Sequence, residues 1–447
     1  MNDEQPKDAS AASRTDDEGA EAEEAPGLRL RSLKVHVFRD VRPGTELRFG
    51  DGPHLILGKN GSGKSTLLAL LAAVPTLDFS GPFFADTPFH VEASLEIAKA
   101  SVYVEIRRTF EPQQMKYVGE EFFQLSPRDE AEVIVQIEHR GAMFRQWIRA
   151  RRGENLRFFS DDPRQDKAKS VGLELPDAVD PLKLTLGRAL FFGVLVHGIR
   201  KTPPEVWSAV LKLVRRPGTG TPFDEALGAL HAMTGSGLTI VRGKNPPSIS
   251  PWLPPALDFD AKGEPVVCRL LADPLLKTAV ERLGYNDAKS YFGPGASTER
   301  GWTYSAPSFQ FFLHGKAVRR HDQLSFGQQR LFSFAWYLAC NPDVVIADEL
   351  VNGLHSEWID WCVEAIGDRQ CFLTSQNPIL VDAISFDSEE DLRRGIILCE
   401  STQDAEREMS ELSWRQLDDH ESELIARAFQ KSRLDLLSDL LRALNMW

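Results

Sequence analysis

Apolar and polar positions alternate along two parts of the chain, and this two-residue period predicts β-strands there. From Leu28 to about Glu138 the pattern runs through LKVHVF, HLILG, HVEASLEI and SVYVEIRRTF, and one helix is predicted to begin at Ser65. From Phe309 it returns in FQFFLHG, DVVIAD, CFLTS and GIILCE. Between them, from about 140 to 305, the spacing is typical of helices, as in FRQWIRARR, PEVWSAVLKLVRR and DPLLKTAVERLGY. The pattern predicts an α/β protein interrupted by a mainly helical insertion.

Charge and helical periodicity distinguish the first and last regions of the chain from the two lobes and the insertion. Residues 1–26 carry nine Asp or Glu against Lys7 and Arg14, with few large apolar side chains. We expect a disordered tail there, with an acidic interaction arm as the alternative. The segments DHESELIARAFQ and RLDLLSDLLRALNMW have helical spacing, and they suit either core packing or a partner interface. The predicted regions are an acidic tail (1–27), a first lobe (28–138), an insertion (139–305), a second lobe (306–400) and C-terminal helices (401–447).

The composition is that of an ordinary soluble protein, with 42% hydrophobic and 26% charged residues among 447. The net charge of −13 does not favour constitutive nucleic-acid binding. The uncharged apolar run Ala189–Ile199 is too short to cross roughly 30 Å of hydrocarbon. The five cysteines form no CxxC pair, which indicates reduced thiols. We therefore expect a cytoplasmic protein without membrane contact.

A glycine-rich segment, Gly58-x4-Gly63-Lys64-Ser65, follows the strand HLIL and precedes the helix TLLALLAAV. This strand–loop–helix context is the one that a phosphate-binding loop requires. Glycines let backbone N–H groups approach phosphate oxygens, and the helix start presents its positive end to the anion. Lys64 is expected to reach the β- and γ-phosphates, and Ser65 to ligate Mg²⁺. The predicted nucleotide-binding residues of this loop are Gly58, Asn60, Gly61, Gly63, Lys64, Ser65 and Thr66.

The apolar run from Asp343 ends in two carboxylates, Asp348 and Glu349. Its β-branched residues predict a central parallel strand. Asp348 at the end of such a strand can hold Mg²⁺ through water, and Glu349 can polarise the attacking water as general base.

A second anion-binding helix start is predicted at Leu324-Ser325-Phe326-Gly327-Gln328-Gln329-Arg330, where Ser325 is a natural N-cap and Gly327 allows close backbone approach. LSFGQQR is similar to the LSGGQ signature of ABC ATPases, with Phe326 at the third position. It lies 23 residues before Asp348, close to the family's usual spacing. The resemblance implies an ABC-ATPase head, a P-loop mixed sheet with an antiparallel β lobe. It also implies that ATP is held between two subunits, with Ser325, Gly327 and Gln328 facing the partner's nucleotide.

Two further segments resemble elements of this family. Leu350-Val-Asn-Gly-Leu-His355 resembles the D-loop of compact AAA proteins that carry a Gly-Leu-His step. That loop crosses the dimer interface in the family, and the resemblance implies that His355 is a nucleotide-binding residue. Gln376 stands where most members carry a histidine on the γ-phosphate, and glutamine can hydrogen-bond there but cannot carry charge. This difference predicts slow hydrolysis, with Glu349 and Gln376 as catalytic residues.

Several assignments stay open at this level. Phe38, in a strand that resembles the first strand of these ATPases, suits base stacking and core packing equally. A Q-loop glutamine is not distinguished among Gln113, Gln114 and Gln124. A basic cluster, at helical spacing, could line a groove for DNA or an acidic phage protein, or form a solvated helix face: Arg145, Arg149, Arg151, Arg152, Arg157, Lys212, Arg215 and Arg216.

Lys64 and Ser325 are 261 residues apart, with no coiled-coil heptads between them. The chain therefore resembles the compact RecF/Rad50/OLD-like bacterial ATPases of the AAA-15 and AAA-21 kind, among them the ATPase subunits of antiphage systems such as PARIS and Septu. This resemblance implies an ATP- and Mg²⁺-dependent homo-oligomer that gates a separate effector protein, for example a nuclease. A RecF-like DNA-repair ATPase that binds DNA with ATP is the alternative.

Overall fold

The computed structural model describes the chain in segments. These are residues 27–76, 83–84, 87–97, 100–111, 115–118, 121–124, 128–139, 142–151, 156–159, 170–173, 238–240, 258–260, 266–292, 297–298, 301–304, 307–341, 343–404, 409–431 and 436–447. Among these residues, no helix combines the length and the apolar character that crossing a bilayer would require.

The described elements belong to an α/β fold. The strands are β1 (Leu28–Phe38), β2 (Thr45–Arg48), β3 (Pro53–Leu57), β4 (Phe89–Ile97), β5 (Ala100–Glu111), β6 (Met115–Val118), β7 (Glu121–Gln124), β8 (Arg128–His139), β9 (Ala142–Arg151), β10 (Leu156–Phe159), β11 (Ser170–Leu173), β12 (Leu238–Ile240), β13 (Asp258–Asp260), β14 (Val266–Arg269), β15 (Asp287–Phe292), β16 (Ser297–Thr298), β17 (Gly301–Tyr304), β18 (Pro307–Leu313), β19 (Lys316–Arg320), β20 (Val344–Ala347), β21 (Gln370–Thr374), β22 (Ile396–Asp404) and β23 (Met409–Gln416). The helices are α1 (Lys64–Thr76), α2 (Pro274–Arg282), α3 (Phe326–Cys340), α4 (Ser356–Ile366), α5 (Pro378–Ala383), α6 (Glu389–Gly395), α7 (Asp419–Lys431) and α8 (Leu437–Ala443).

A five-stranded sheet in the order β20-β21-β3-β22-β23 lies at the centre. Its first four strands are parallel, and β23 pairs antiparallel to β22 at the edge. The parallel strands are apolar along their whole length because both faces are covered. In β3, for example, Ile56 belongs to one hydrophobic core, and Leu55 and Leu57 belong to the other.

The first core lies between the central sheet, α1 and an eight-stranded antiparallel sheet in the order β11-β10-β9-β8-β5-β4-β1-β2. The second core packs α2–α5 against the opposite face of the central sheet. The predicted P-loop mixed sheet with an antiparallel lobe is therefore confirmed, as are the predicted strands of both lobes and the helix that begins beside Ser65.

The helical prediction for FRQWIRARR is wrong. Residues 144–151 of this segment lie on β9, which pairs with β8 along its whole length and with β10. Phe144, Trp147 and Ile148 have helical spacing, but on β9 the consecutive residues Gln146, Trp147 and Ile148 are all buried, so both faces of the strand are covered there. Pairing with a neighbouring strand outweighs a short periodic pattern.

The antiparallel sheet therefore continues past residue 138. In the described parts of 139–305, α2 confirms the helix predicted in DPLLKTAVERLGY, and the short strands from β10 to β17 were not predicted. Three predicted helices lie wholly outside the described residues: LKLTLGRALFFGVLVHGI, PEVWSAVLKLVRR and FDEALGALHAMT. Residues 1–26 also lie outside them. Strand β23 also lay in a region where only helices were predicted.

Candidate functional site

The predicted catalytic segments meet at the carboxyl ends of three neighbouring parallel strands. The glycine-rich loop follows β3, Asp348 and Glu349 follow β20, and Gln376 follows β21, which lies between the other two. The carboxyl edge of an open parallel sheet is where such folds bind ligands.

The glycine-rich loop has backbone conformations that side chains disfavour. Gly58, Gly61 and Gly63 have φ angles of 149°, 81° and 87°. A Cβ on Gly58 would lie 2.2 Å from the carbonyl oxygen of Cys399, and one on Gly63 would lie 2.9 Å from Leu412. The loop is therefore restricted to glycine by φ at all three positions and by space at two.

Lys64 folds back over this loop. Its Nζ donates to the carbonyl oxygens of Gly58 and Lys59 at 2.8 and 3.1 Å, and the side chain is mostly buried. The ammonium group is thereby held at the glycine-rich loop, beside the start of the helix that follows this loop.

Ser65 and Asp348 are in direct contact across the site. The Ser65 hydroxyl donates to Asp348 Oδ2 at 2.6 Å, and Thr374 Oγ1 donates to the other carboxylate oxygen. Thr374 also accepts from the backbone N–H of Glu349 at 2.9 Å. One hydroxyl at the end of β21 thus positions both acidic residues.

Glu349 has a left-handed backbone, with φ of 49°. A non-glycine residue is strained in this region and is held there by its surroundings. The buried Arg330 on α3 supplies part of that constraint, since its guanidinium donates to the carbonyl oxygens of residues 348–350 at 3.2, 2.6 and 2.8 Å. The helix that begins at the signature segment is therefore tied to the acidic segment.

Gln376 contacts the glycine-rich loop, because its Nε2 donates to Asn60 Oδ1 at 2.7 Å. The side chain is exposed. These contacts connect one group of residues, the loop group, which consists of Asn60, Lys64, Ser65, Asp348, Glu349 and Gln376.

The signature segment begins α3 as predicted. Ser325 Oγ accepts from the N–H of Gln328 at 3.3 Å, and the Gln328 side chain accepts from the N–H of Ser325 at 3.0 Å. This reciprocal capping box fixes the helix start. Phe326 is 62% exposed.

The helix start lies tightly against the segment after Glu349. A Cβ on Gly327 would lie 2.5 Å from the carbonyl oxygen of Gly353, and a Cβ on Gly353 would lie 2.8 Å from the Phe326 ring. His355, beyond this segment, is exposed and stacks edge-on against Trp358 at 5.4 Å. Among the described contacts, none joins Ser325, Gly327, Gln328 or His355 to the glycine-rich loop. These four residues form a second group, the signature group, whose helix reaches the acidic segment through Arg330 and the Gly327–Gly353 contact.

Phe38 packs in the core. It is fully buried and contacts Phe84 and Phe89 at ring distances of 5.4 and 6.5 Å. This geometry favours the core-packing alternative over base stacking. Among the three Q-loop candidates, Gln113 and Gln114 lie outside the described residues, and Gln124 lies on β7.

The site has polar groups that suit a nucleotide with Mg²⁺. Ser62 Oγ and Trp414 Nε1 are buried and have no hydrogen-bond partner among the described residues. Trp414 Nε1 would lie 3.1 Å from a Cβ on Gly63. Backbone N–H groups, an ammonium, a hydroxyl and a carboxylate on one loop edge are the donor set that phosphates and Mg²⁺ take.

Sequence reasoning missed three residues of this arrangement. Thr374, Arg330 and Gly353 act through tertiary contacts, which a linear motif does not display. Arg330 belongs to the signature segment, and the only sequence signal for its role was a charged residue directly before the apolar run of the helix.

Residues 32–174 match the AAA_23 family, described as an AAA domain. No curated protein matches the sequence. Among solved structures, the chain is similar to the SMC head domain from Thermotoga maritima, with 12% identity, a TM-score of 0.35, and coverage of 87% of this chain and 99% of that one. It is also similar to the recombination mediator protein RecF with ATP, with 12% identity, a TM-score of 0.30, and coverage of 78% and 93%. The AAA domain match covers the glycine-rich loop with Lys64 and Ser65.

Proposed function

We propose that this chain binds ATP with Mg²⁺ between two copies, hydrolyses it slowly, and uses the nucleotide state to hold or release a separate effector protein in bacterial antiphage defence. The observation that carries the proposal is that no described contact joins the signature group to the glycine-rich loop. The loop group around Lys64 suits one nucleotide, and the capped helix start at Ser325 is a second anion-binding element with no described contact to that loop. A second copy would bring the two groups together.

Within one copy, each residue of the loop group has a distinct role. Lys64 supplies positive charge to the β- and γ-phosphates, and the N–H groups of residues 58–66 cradle them. Ser65 and Asp348 would hold Mg²⁺, which neutralises phosphate charge when bound. Glu349 orients and deprotonates the attacking water. Gln376 hydrogen-bonds near the γ-phosphate without adding charge, which accounts for slow turnover.

The role of Glu349 is tested by Glu349→Gln, which keeps the shape but removes the base. We expect ATP hydrolysis to fall by about 100-fold or more, with ATP binding retained. Glu357→Gln, at an exposed position on α4, is the matched control and should hydrolyse at the parental rate. If Glu349→Gln also keeps that rate, Glu349 is not the base.

The shared site is tested by Ser325→Arg, which places a bulky cation at the signature helix start. Both proteins carry Glu349→Gln and are measured with ATP. The protein with Ser325 should have the mass of two chains, and the Ser325→Arg protein should keep the mass of one chain. Ser388→Arg changes the N-cap of α6 in the same way and should still assemble. Retained ATP binding by Ser325→Arg separates loss of assembly from loss of the nucleotide. Doubling by that variant would contradict the shared site.

The effector role is supported by the resemblance of the chain to compact RecF/OLD-like ATPases, many of which act as the ATPase subunit of antiphage defence systems. The protein encoded beside this gene should co-purify with the chain in a way that depends on ATP. Cells carrying the pair should resist phage, and Lys64→Ala should abolish resistance. Resistance that survives Lys64→Ala would contradict ATP gating.

DNA binding in a RecF-like repair ATPase is the second candidate, and one contact favours it. The exposed Arg145 lies over the ring of the buried Trp147 at 4.5 Å on β9, which holds the guanidinium at the surface where it can meet a phosphate. ATP-dependent retardation of gapped DNA at low salt that weakens in Arg145→Glu would support it. Unchanged DNA mobility with ATP would count against it.

A further inference from the structure

Two histidines and a glutamate lie together on the face of the antiparallel sheet that points away from the hydrophobic core. His36 is on β1, and His90 and Glu92 are on the neighbouring β4. One nitrogen of each histidine and one Glu92 oxygen all lie within 4.8 Å of one another. The three residues are partly buried and belong to neither group of the nucleotide site.

A β-bulge brings the two histidines together. Val35 pairs with Val91, but Val37 pairs with His90, so His36 is an extra residue in β1. A bulge interrupts the hydrogen-bond ladder and re-aims a side chain. Here the imidazole rings stack with their centroids 4.3 Å apart. The strand thus departs from regular pairing at the point where the second imidazole is placed beside the first.

Each histidine also contacts a carboxylate. His36 Nε2 lies 2.6 Å from Glu92 Oε1, and His90 Nε2 lies 3.0 Å from Glu105 Oε1 on β5. When His90 donates its Nε2 proton to Glu105, the lone pair on Nδ1 is left for another partner. A carboxylate that holds a histidine in this way is the usual outer contact of a metal-binding histidine.

We propose that His36, His90 and Glu92 bind a divalent transition-metal ion of the zinc type, with Glu105 as the residue that orients His90. Zinc takes imidazole nitrogen at about 2.0–2.1 Å and carboxylate oxygen at about 2.0–2.2 Å in tetrahedral sites. Such donors stand about 3.3 Å apart, so small side-chain rotations bring the three atoms into place. The ion takes the position of the proton shared by His36 and Glu92, and solvent fills the fourth position.

The site lies close to a connection with the nucleotide loop. β1 ends at Phe38, two residues beyond His36, and the backbone of Asp40 then accepts from the N–H of Leu412 at 2.7 Å. Leu412 in turn lies against Gly63. A bound ion braces β1 against β4 at the base of this connection.

The test is a zinc titration of the full chain after chelator treatment, without nucleotide, by calorimetry and equilibrium dialysis. The parent should bind one ion that His36→Ala and Glu92→Gln each weaken by about tenfold or more, and Glu105→Gln should weaken it by a smaller factor. His420→Ala, which removes an exposed histidine on α7, is the control and should bind as the parent does. Zinc should raise the thermal unfolding midpoint of the parent and of His420→Ala equally, and that of His36→Ala and Glu92→Gln by less.

Three results would overturn the proposal. They are absence of zinc binding by the parent, equal affinity in the parent and His36→Ala, and loss of the ion in Asp348→Asn, which would assign it to the nucleotide site. Glu92→Gln keeps the size of the side chain, so a folded Glu92→Gln protein gives the answer if His36→Ala fails to fold. Because the readout is zinc binding, the result is independent of ATP hydrolysis.

Discussion

At the scale of single residues, Gln376 is the position where the site departs most from the family pattern that the chain resembles. Its amide donates to Asn60 on the glycine-rich loop, so it is in place but uncharged. An imidazole at this position can make the same contact and can also carry positive charge towards the γ-phosphate.

Gln376→His should therefore raise the rate of ATP hydrolysis, by up to about tenfold. The gain should fade as pH rises above about 6.5, the ordinary pKa of histidine, because the charged form is then lost. Steady-state phosphate release from acidic to alkaline pH measures both effects. A variant with the parental rate and pH profile would show that residue 376 does not face the γ-phosphate.

The motifs predicted the residues of the loop group, because a P-loop and an acidic strand end keep their chemistry in a short stretch of sequence. The contacts that position them were not predictable in this way. Thr374 reaches Asp348 across 26 residues of sequence, and Arg330 reaches Leu350 across 20. Such contacts depend on the packing of α3 and β21, which no local pattern states.

At the scale of elements, the contact between the start of α3 and the segment after Glu349 depends on Gly353. This residue has a φ of 78°, and the Phe326 ring occupies the space that a Cβ would need. Gly44 has a similar φ of 84° with nothing within 4 Å of its Cβ position. Gly44→Ala therefore shows the energetic cost of the backbone conformation alone.

Gly353→Ala should lower the free energy of unfolding by roughly 2–4 kcal/mol and Gly44→Ala by about 1–2 kcal/mol. Urea unfolding of the two variants gives the difference, which reports the clash with Phe326. The double variant Phe326→Ala/Gly353→Ala should recover that difference. Equal losses at both glycines would mean that the ring moves aside at no cost.

His54 gives strand β3 a pH-dependent stability. It is fully buried between Gly50, whose N–H donates to Nε2 at 3.1 Å, and the Cys371 carbonyl, which accepts from Nδ1 at 3.1 Å. Burial lowers its pKa from 6.5 to about 4. The unfolded chain therefore binds this proton at a higher pH than the folded chain, and folding is favoured fully only above about pH 6.5.

We expect the parent to lose about 3 kcal/mol of unfolding free energy through this residue as pH falls from about 6.5 to about 4. His54→Gln, whose amide can meet the same two partners, should lose less over that range. Urea midpoints at several pH values compare the two slopes. Parallel slopes would show that the histidine titrates normally in the folded chain.

Elements with long alternation were predicted well, and elements fixed by their neighbours were not. β4 and β5 alternate over nine and twelve residues. In β9 the residues Phe144, Trp147 and Ile148 match helical spacing, and only the pairing with β8 decides the outcome. The edge strand β23 has few apolar residues, and among the described residues its outer side pairs only through a single bridge between Leu412 and Val41, so the alternation signal is weak.

At the scale of the whole molecule, a buried glutamine joins the antiparallel sheet to the central sheet. Gln370, at the start of β21, accepts from the N–H of Leu30 at 2.8 Å and donates to the carbonyls of Leu30 and Gly50 at 2.8 and 2.6 Å. Gln416 makes a similar set of bonds to Arg48 at the surface. The first joint is closed to water and the second is open to it.

Gln370→Leu should lower the free energy of unfolding by about 2–4 kcal/mol, because it removes the hydrogen-bond partner of buried backbone groups of Leu30 and Gly50. Gln416→Leu should cost less than about 1.5 kcal/mol, because water replaces the lost partner. Chemical denaturation followed by both tryptophan fluorescence and circular dichroism measures the losses. Equal losses would show that burial does not control the strength of this joint.

Strand β21 sets a limit on how this chain can change in evolution. Thr374 reaches the acidic pair and Gln376, two positions later, reaches the glycine-rich loop. An insertion or deletion of one codon between them would leave one of the two unsupported. The interval between Thr66 and Ser325 supplies none of the described side-chain contacts that join the acidic pair, Gln376 and the glycine-rich loop. Descendants of this gene should therefore differ in size chiefly in that interval and keep the spacing at the end of β21.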